Sequence, residues 1–98
     1  MSSYVLSFRG QTGRASDPEQ EAAWGQWFEE LGASIVDFGN RVGRATTLGE
    51  TAAGTVLTGY MLIKAESYDA AVALAKGCPG LARGGAVEVG ETVATPDT

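Results

Sequence analysis

The longest apolar stretch of the chain covers residues 56–64, where β-branched, aromatic and long aliphatic side chains follow one another almost without interruption. Successive side chains of a strand point to opposite faces of a sheet. Both alternating sets are largely apolar: Val56, Thr58, Tyr60 and Leu62 on one side, and Leu57, Gly59, Met61 and Ile63 on the other. The pattern predicts a central strand that is covered on both faces.

A short helix is predicted directly after this strand, over residues 68–76. Ser67 suits the N-cap because its hydroxyl can accept a free backbone N–H of the first turn, and Asp69 places a negative charge where the helix dipole favours one. Gly77 and Pro79 predict a left-handed exit and the end of the helix. The apolar side consists of Ala71, Leu74, Ala75 and Cys78.

The first part of the chain predicts another strand and helix. Residues 4–9 alternate in hydrophobicity, as is typical of a strand with a buried face. The helix begins either with Ser16, which has a capping-box partner in Glu19, or with Asp17, followed by Pro18 as the first helical residue. It ends at Gly32. Its apolar face has helical spacing and consists of Trp24, Trp27, Phe28 and Leu31.

Shorter strands, connections and a tail are predicted for the rest of the chain. Residues 34–38 predict a second strand, and the pair Gly39 and Asn40 favours a tight turn, so that 41–46 is predicted to return as a hairpin partner. Residues 48–55 and 81–85 contain glycine and small side chains and predict connections. Residues 86–89 predict the last strand. Residues 92–98 predict a tail, of which 92–94 can extend a strand into a neighbouring chain.

The resulting order of strand, helix, two strands, helix and strand predicts an α+β fold, a ferredoxin-like βαββαβ sandwich. Two helices can cover only one face of such a sheet, yet the central strand is apolar on both faces. The simplest solution is a second copy of the chain packed sheet against sheet. We therefore expect a homodimer.

Length, composition and charge set further limits. The chain has 98 residues, of which 44% are hydrophobic and 19% charged, and this indicates one globular domain over residues 1–91 with a tail over 92–98. A net charge of −5 with seven basic residues argues against nucleic acid and against a polybasic membrane anchor. The first ten residues do not have the pattern of a signal peptide, and no apolar run is long enough for a membrane span. We expect a cytoplasmic protein, and the single cysteine agrees with a reducing compartment.

Several residues of the chain resemble those of the YCII-related (DGPF-type) family. The resemblance is carried by 59–65, by Ser67 with Asp69 and Ala70, by 75–79, which ends in Cys78 and Pro79, and by 87–89. It extends more loosely over Trp24, Trp27 and the helix end at 31–32, and its specific parts are the Gly59-Tyr60 strand and the Cys78-Pro79 helix end. These are small bacterial domains with a ferredoxin-like fold that usually pair into a dimeric α/β barrel, so the resemblance implies the same fold and assembly here.

The resemblance also implies where a reaction would take place. YCII-like proteins have a proposed reactive pair, a histidine near the start of the first helix and an aspartate in an Asp-Gly-Pro-Phe turn before the central strand. This chain contains no histidine, and the corresponding turn reads Thr47-Leu48-Gly49-Glu50. Because both members of the pair are missing, the sequence favours a non-catalytic or weakly catalytic protein.

Other reactive groups have little support in the sequence. Glu21 or Glu50 is a possible acid or base if burial raises its pKa, but solvent-exposed charge is the simpler interpretation. Cys78 lies at the C-terminal end of a helix, where the dipole disfavours a thiolate, so a structural thiol is the simpler interpretation. The chain has no metal-ligand spacing and no nucleotide-binding glycine pattern. We expect neither a metal nor a cofactor.

An aromatic set is the remaining candidate site. Its side chains can form a cleft between the first helix and the sheet, with Arg41 or Arg44 supplying positive charge for an acidic ligand. Core packing is the alternative, above all for the two tryptophans. The candidate ligand-binding residues are Phe8, Trp24, Trp27, Phe38, Arg41 and Tyr60.

Three functional hypotheses follow. The favoured one is a dimeric module that binds a small acidic or aromatic molecule with little or no catalysis. The first alternative is an enzyme that acts on a small organic or aromatic acid, with a dehalogenase, isomerase or monooxygenase-like activity. The second is an interaction module linked to transcription regulation, which the resemblance suggests because DGPF-type domains are often associated with alternative sigma factors.

Overall fold

The computed structural model describes residues 2–11, 17–50 and 54–93 and has an α+β fold. A 3-10 helix follows each α-helix, at Gly32–Ser34 and at Pro79–Arg83. The predicted order of strands and helices is confirmed. The elements are β1 (Ser2–Gln11), α1 (Pro18–Leu31), β2 (Ile35–Arg41), β3 (Thr55–Ala65), α2 (Tyr68–Ala75) and β4 (Ala86–Glu91).

The four strands form one sheet in the order β2-β3-β1-β4, and each neighbouring pair is antiparallel. This arrangement is compatible with a ferredoxin-like fold. The central strands β1 and β3 pair from Ser2 opposite Ala65 to Gln11 opposite Thr55. The pairing continues through polar residues at both ends, which explains why each strand is longer than its apolar run predicted.

The inner face of the sheet, which carries the helices, forms the core. Tyr4, Leu6, Met61 and Ile63 are its largest fully buried side chains. The helices contribute Ala71, Ala75, Trp27 and Leu31, together with Cys78 just after α2. The predicted apolar sides of both helices therefore face the core, with Trp24, Phe28 and Leu74 partly buried at its margin.

The opposite, outer face of the sheet is open within the part of the chain that the structure describes. Val5 pairs with Leu62 and Ser7 with Tyr60 on this face, while their neighbours along each strand are buried on the inner side. Tyr60 is 37% exposed. The outer surface of β3 thus carries the apolar residues Tyr60 and Leu62, as the sequence indicated, and the described residues leave this surface uncovered.

The structure shows which of the two predicted residues is the N-cap of α1. Asp17 is the N-cap, and its carboxylate accepts the backbone N–H of Gln20 at 2.8 Å, while Pro18 is the first helical residue. The alternative cap, Ser16, lies outside the described residues. The other end agrees with prediction, since Gly32 has a φ of 49° and its N–H donates to the Phe28 carbonyl.

The predicted hairpin at Gly39 and Asn40 is wrong. Gly39 does have a positive φ of 67°, but it lies inside β2, where the strand is irregular between Asp37 and Asn40. The Asp37 carboxylate accepts the Gly39 N–H at 2.7 Å, which stabilises a bulge in place of a turn. As a result, β2 continues to Arg41, residues 42–50 contain no strand, and β3 is the antiparallel partner of β2.

The predicted left-handed exit at Gly77 is also wrong. Gly77 is absent from the positive-φ glycines, and α2 ends through Lys76 in a right-handed helical conformation. Gly77 is required for a different reason: a Cβ there would lie 2.9 Å from Nε1 of Trp27. The N-cap of α2 agrees with prediction, because the Ser67 hydroxyl accepts the Ala70 N–H at 3.1 Å.

The last strand extends beyond its predicted end at residue 89 and reaches Glu91. Thr92 then hydrogen-bonds twice to the Ser3 carbonyl, through its N–H at 3.1 Å and its hydroxyl at 2.9 Å. Residues 92 and 93 thus follow β1 of the same chain, and residues 94–98 lie outside the described part. No helix in the described residues is long and apolar enough to cross a membrane.

The Asp17 cap gives a pH-dependent contribution to stability. The N–H of Gln20, and secondarily the Arg83 guanidinium at 3.0 Å from Oδ2, lower the pKa of Asp17 below its ordinary value of 3.8. The stabilisation is therefore present above that ordinary value and is lost as the pH falls through the lowered pKa of the folded state. We expect Asp17→Ala to lower the melting temperature at neutral pH more than Asp17→Asn, which retains a cap acceptor.

The measurement is thermal unfolding of the three proteins across the acidic range. The gap in melting temperature between the native chain and Asp17→Asn should shrink as the pH falls below about 4. A gap that does not change with pH would show that the charge of Asp17 makes no contribution.

Candidate functional site

An open cleft of about 650 Å³ lies between α1 and one end of the sheet. Its base is formed by the inner face, through Phe8 of β1 and Gly59 of β3. Three walls surround this base: the N-terminal half of α1, the ends of β2 and β3, and the segment from Cys78 to Ala86. The size is within the range of small-molecule sites, which are commonly concave and mostly apolar.

The first wall is a face of α1 that consists of Glu21, Trp24, Gly25 and Phe28. Their spacing of three, four and seven residues places them on one side of the helix. Trp24 packs edge-on against Phe8, with ring centroids 5.2 Å apart, and also lies 5.8 Å from Phe28. These contacts fix the aromatic side chains and so give the wall a defined shape.

The second wall comes from the bulged end of β2 and the facing part of β3. The Phe38 ring packs edge-on against Phe28 at 5.7 Å, although Phe38 is 63% exposed. Asn40 donates to the Tyr60 hydroxyl at 2.9 Å, which holds Tyr60 at the rim. Arg41 pairs with Gly59 through the backbone, and its guanidinium makes no hydrogen bond or ion pair within the described residues.

The third wall brings the backbone close to the base of the cleft. The Gly85 N–H donates to the Gly80 carbonyl at 2.9 Å, and a Cβ on Gly85 would be only 2.6 Å from the Arg9 carbonyl oxygen. Cys78 lies beside this turn and is 4% exposed. Burial raises the pKa of its thiol, which keeps the sulfur protonated and unreactive near neutral pH.

The charge of the cleft differs from that of the whole protein. Arg9, Arg41 and Arg83 line it, whereas Glu21 is the acidic residue among the described lining residues, and the chain as a whole has a net charge of −5. Arg83 is paired with Asp17 at 3.0 Å, and Arg9 donates to the Thr55 hydroxyl and carbonyl at 3.3 and 3.1 Å. Arg41 is thus the arginine best able to bind an anion in the cleft.

The structure brings together five of the six candidate residues. Phe8, Trp24, Phe38, Arg41 and Tyr60 all line the cleft. The sixth, Trp27, is 3% exposed and belongs to the core, where its indole N–H donates to the Leu74 carbonyl at 3.1 Å. The alternative cation, Arg44, and the alternative carboxylate, Glu50, are exposed and do not line the cleft.

Sequence reasoning missed Arg9, Arg83 and Gly25. The two arginines carried no signal, because their approach to the cleft depends on strand register and on the 3-10 turn. Gly25 did carry a signal, because glycine destabilises a helix interior and its presence in a strong helical pattern indicates a packing or functional role. No group of three or more metal-ligating side chains occurs among the described residues.

No family model matches the chain, and no curated protein and no solved structure is significantly similar to it. The resemblance to YCII-related proteins accordingly stays a prediction from the residues.

Cys78 provides a test of the site's reactivity. We expect iodoacetamide to alkylate Cys78 in the folded protein at least about tenfold more slowly than in denaturant at the same pH, because the thiol is buried and its pKa is raised. Ala73 is exposed on α2, so Ala73→Cys in a Cys78→Ala background reports the rate of an accessible thiol. Equal rates for the two cysteines in the folded proteins would contradict a buried, unreactive Cys78.

Proposed function

We propose that the chain is a YCII-like, ferredoxin-like domain that binds a small acidic organic molecule in the cleft and assembles as a homodimer through the outer face of its sheet. The observation that carries the ligand proposal is the reversal of charge: three arginines line an aromatic cleft in a protein of net charge −5. The guanidinium of Arg41 has no hydrogen-bond or ion-pair partner among the described residues and is placed to pair with an anion.

The composition of the walls supports an organic ligand in preference to a simple inorganic ion. Phe8, Trp24 and Phe38 line the same cleft as the arginines, so an apolar body and a charged group can both be accommodated. An inorganic anion would leave this aromatic surface in contact with water. A small carboxylic acid with an apolar or aromatic body uses both features.

A catalytic role is the second candidate, and one observation favours it. Glu21 lines the same cleft as Arg41, so a carboxylate and a cation face a common space. Against it, the chain has no histidine, and the Cys78 thiol is held protonated by burial. Binding without efficient catalysis is therefore the better supported function.

The homodimer proposal depends on the uncovered outer face. The Val5–Leu62 pair and Tyr60 give this face an apolar centre, which the described residues of one chain do not cover. A second copy is the occupant best matched to it, because a twofold axis lets the same patch cover itself on both chains. The strand order β2-β3-β1-β4 is compatible with such sheet-to-sheet pairing.

The ligand proposal is tested with benzoate as the probe and Arg41→Gln as the variant. A charged hydrogen bond contributes about 1.5–3 kcal/mol, so we expect Arg41→Gln to weaken benzoate binding by about ten- to a hundredfold in isothermal titration calorimetry. Arg44→Gln is the matched control, because Arg44 is exposed and lies outside the cleft. Equal affinities in Arg41→Gln and the native chain would overturn the role of Arg41.

The dimer proposal is tested by light scattering at micromolar concentration, where we expect the mass of two chains. Leu62→Glu should yield the mass of one chain, because a charge in the centre of the outer face opposes its burial. Leu48→Glu is the control, since Leu48 is 89% exposed in a loop. A native protein with the mass of one chain refutes the dimer.

A further inference from the structure

Gly25 lies at the exposed margin of the α1 wall of the cleft. Glu21 and Phe28, four residues before it and three residues after it, are its neighbours on this side of the helix, and Trp24 lies beyond them toward the core. The wall therefore has a gap one side chain wide at this margin, next to Phe28. The gap opens into the cleft, because Gly25 is itself a lining residue.

The fold gives no reason for glycine at this position. Gly25 does not have a positive φ, and, apart from the backbone of its own helix, a Cβ built on it would find no heavy atom of the described residues within 4 Å. The contrast with other glycines is clear: a Cβ on Gly39 would lie 1.9 Å from the Tyr60 carbonyl oxygen, and one on Gly85 would lie 2.6 Å from that of Arg9.

Glycine inside a helix also has a cost. It is about 0.8–1 kcal/mol less favourable than alanine, so an alanine at position 25 would give a more stable helix without any clash. A residue that lowers stability, fits no local requirement and lies in the wall of a cleft is best explained by what the cleft admits.

We infer that Gly25 determines which ligands fit: the flat ring of an aromatic carboxylic acid lies against the α1 backbone in the gap at Gly25, with its carboxylate directed to Arg41. This inference rests on the proposed binding function and specifies its ligand class. A planar ring fits a gap one side chain wide and contacts the Phe28 ring next to it, with Trp24 further along the same wall. A flexible aliphatic acid of similar size gains less from the same surface.

The test measures the affinities of benzoate, 1-naphthoate and hexanoate by calorimetry in the native chain, Gly25→Ala and Gly25→Leu. We expect both aromatic acids to bind the native chain more tightly than hexanoate, and Gly25→Leu to bind them at least about tenfold more weakly. Gly25→Ala should have an intermediate effect on affinity and a raised melting temperature. Ala22→Leu, which places the same leucine side chain at an exposed position of α1 outside the cleft, should bind like the native chain.

The possible outcomes separate this inference from the proposed function. If none of the three acids binds the native chain, the proposed function is overturned and the inference with it. If the acids bind, but Gly25→Leu and Gly25→Ala bind them as tightly as the native chain does, the inference alone is overturned. If hexanoate binds as tightly as benzoate and Gly25→Leu weakens both equally, the assignment of an aromatic ligand is overturned while the role of Gly25 stands.

Discussion

The arrangement of this fold depends on the position of the Trp27 ring. Its indole N–H donates to the Leu74 carbonyl at 3.1 Å, at the end of α2, where the same carbonyl also accepts the Gly77 N–H at 3.3 Å. Its ring also packs against Phe8 at 5.9 Å, so one side chain joins α1, α2 and the sheet. The indole approaches the backbone so closely that a Cβ at position 77 would lie 2.9 Å from Nε1 and would require the ring to shift. With Trp27 fixed in the core, α1 has one rotation available, and Trp24, Gly25 and Phe28 necessarily face the cleft.

The sequence was most informative where structure is set by neighbouring residues. The Ser67 cap, the apolar side of α1 and the alternation along β1 follow from local hydrogen bonding and from the periods of helix and strand, and each is present. The sequence was misleading where contacts with residues far along the chain determine the local conformation. Gly39 and Gly77 have the chemistry of a turn and a helix exit, but contacts with Tyr60 and Trp27 give them other roles. The candidate site shows the same division: the aromatic residues could be named, whereas the approach of Arg9 and Arg83 requires the tertiary fold.

The two faces of the sheet differ in how their residues are covered. The inner face is filled by side chains over most of its area and opens near Phe8 and Gly59, where glycine and small residues replace bulky ones. The outer face has no helix over it in the described residues, and its apolar residues are only partly shielded by their neighbours. Tyr60 belongs to both regions, since it pairs with Ser7 on the outer face and lines the cleft at the rim. A contact made at either surface therefore also involves Tyr60, which belongs to the other surface as well.

The bulge in β2 has a consequence for solubility. β2 is an edge strand, and it exposes the apolar side chains Val36 and Phe38, which is the composition that invites pairing with strands of other molecules. The Asp37 carboxylate occupies the Gly39 N–H, and the positive φ of Gly39 interrupts the regular spacing of donors and acceptors along the edge. A foreign strand laid along β2 thus meets a charged side chain and a break in register within a few residues. The same bulge that shapes one wall of the cleft therefore opposes regular pairing of another strand with this edge.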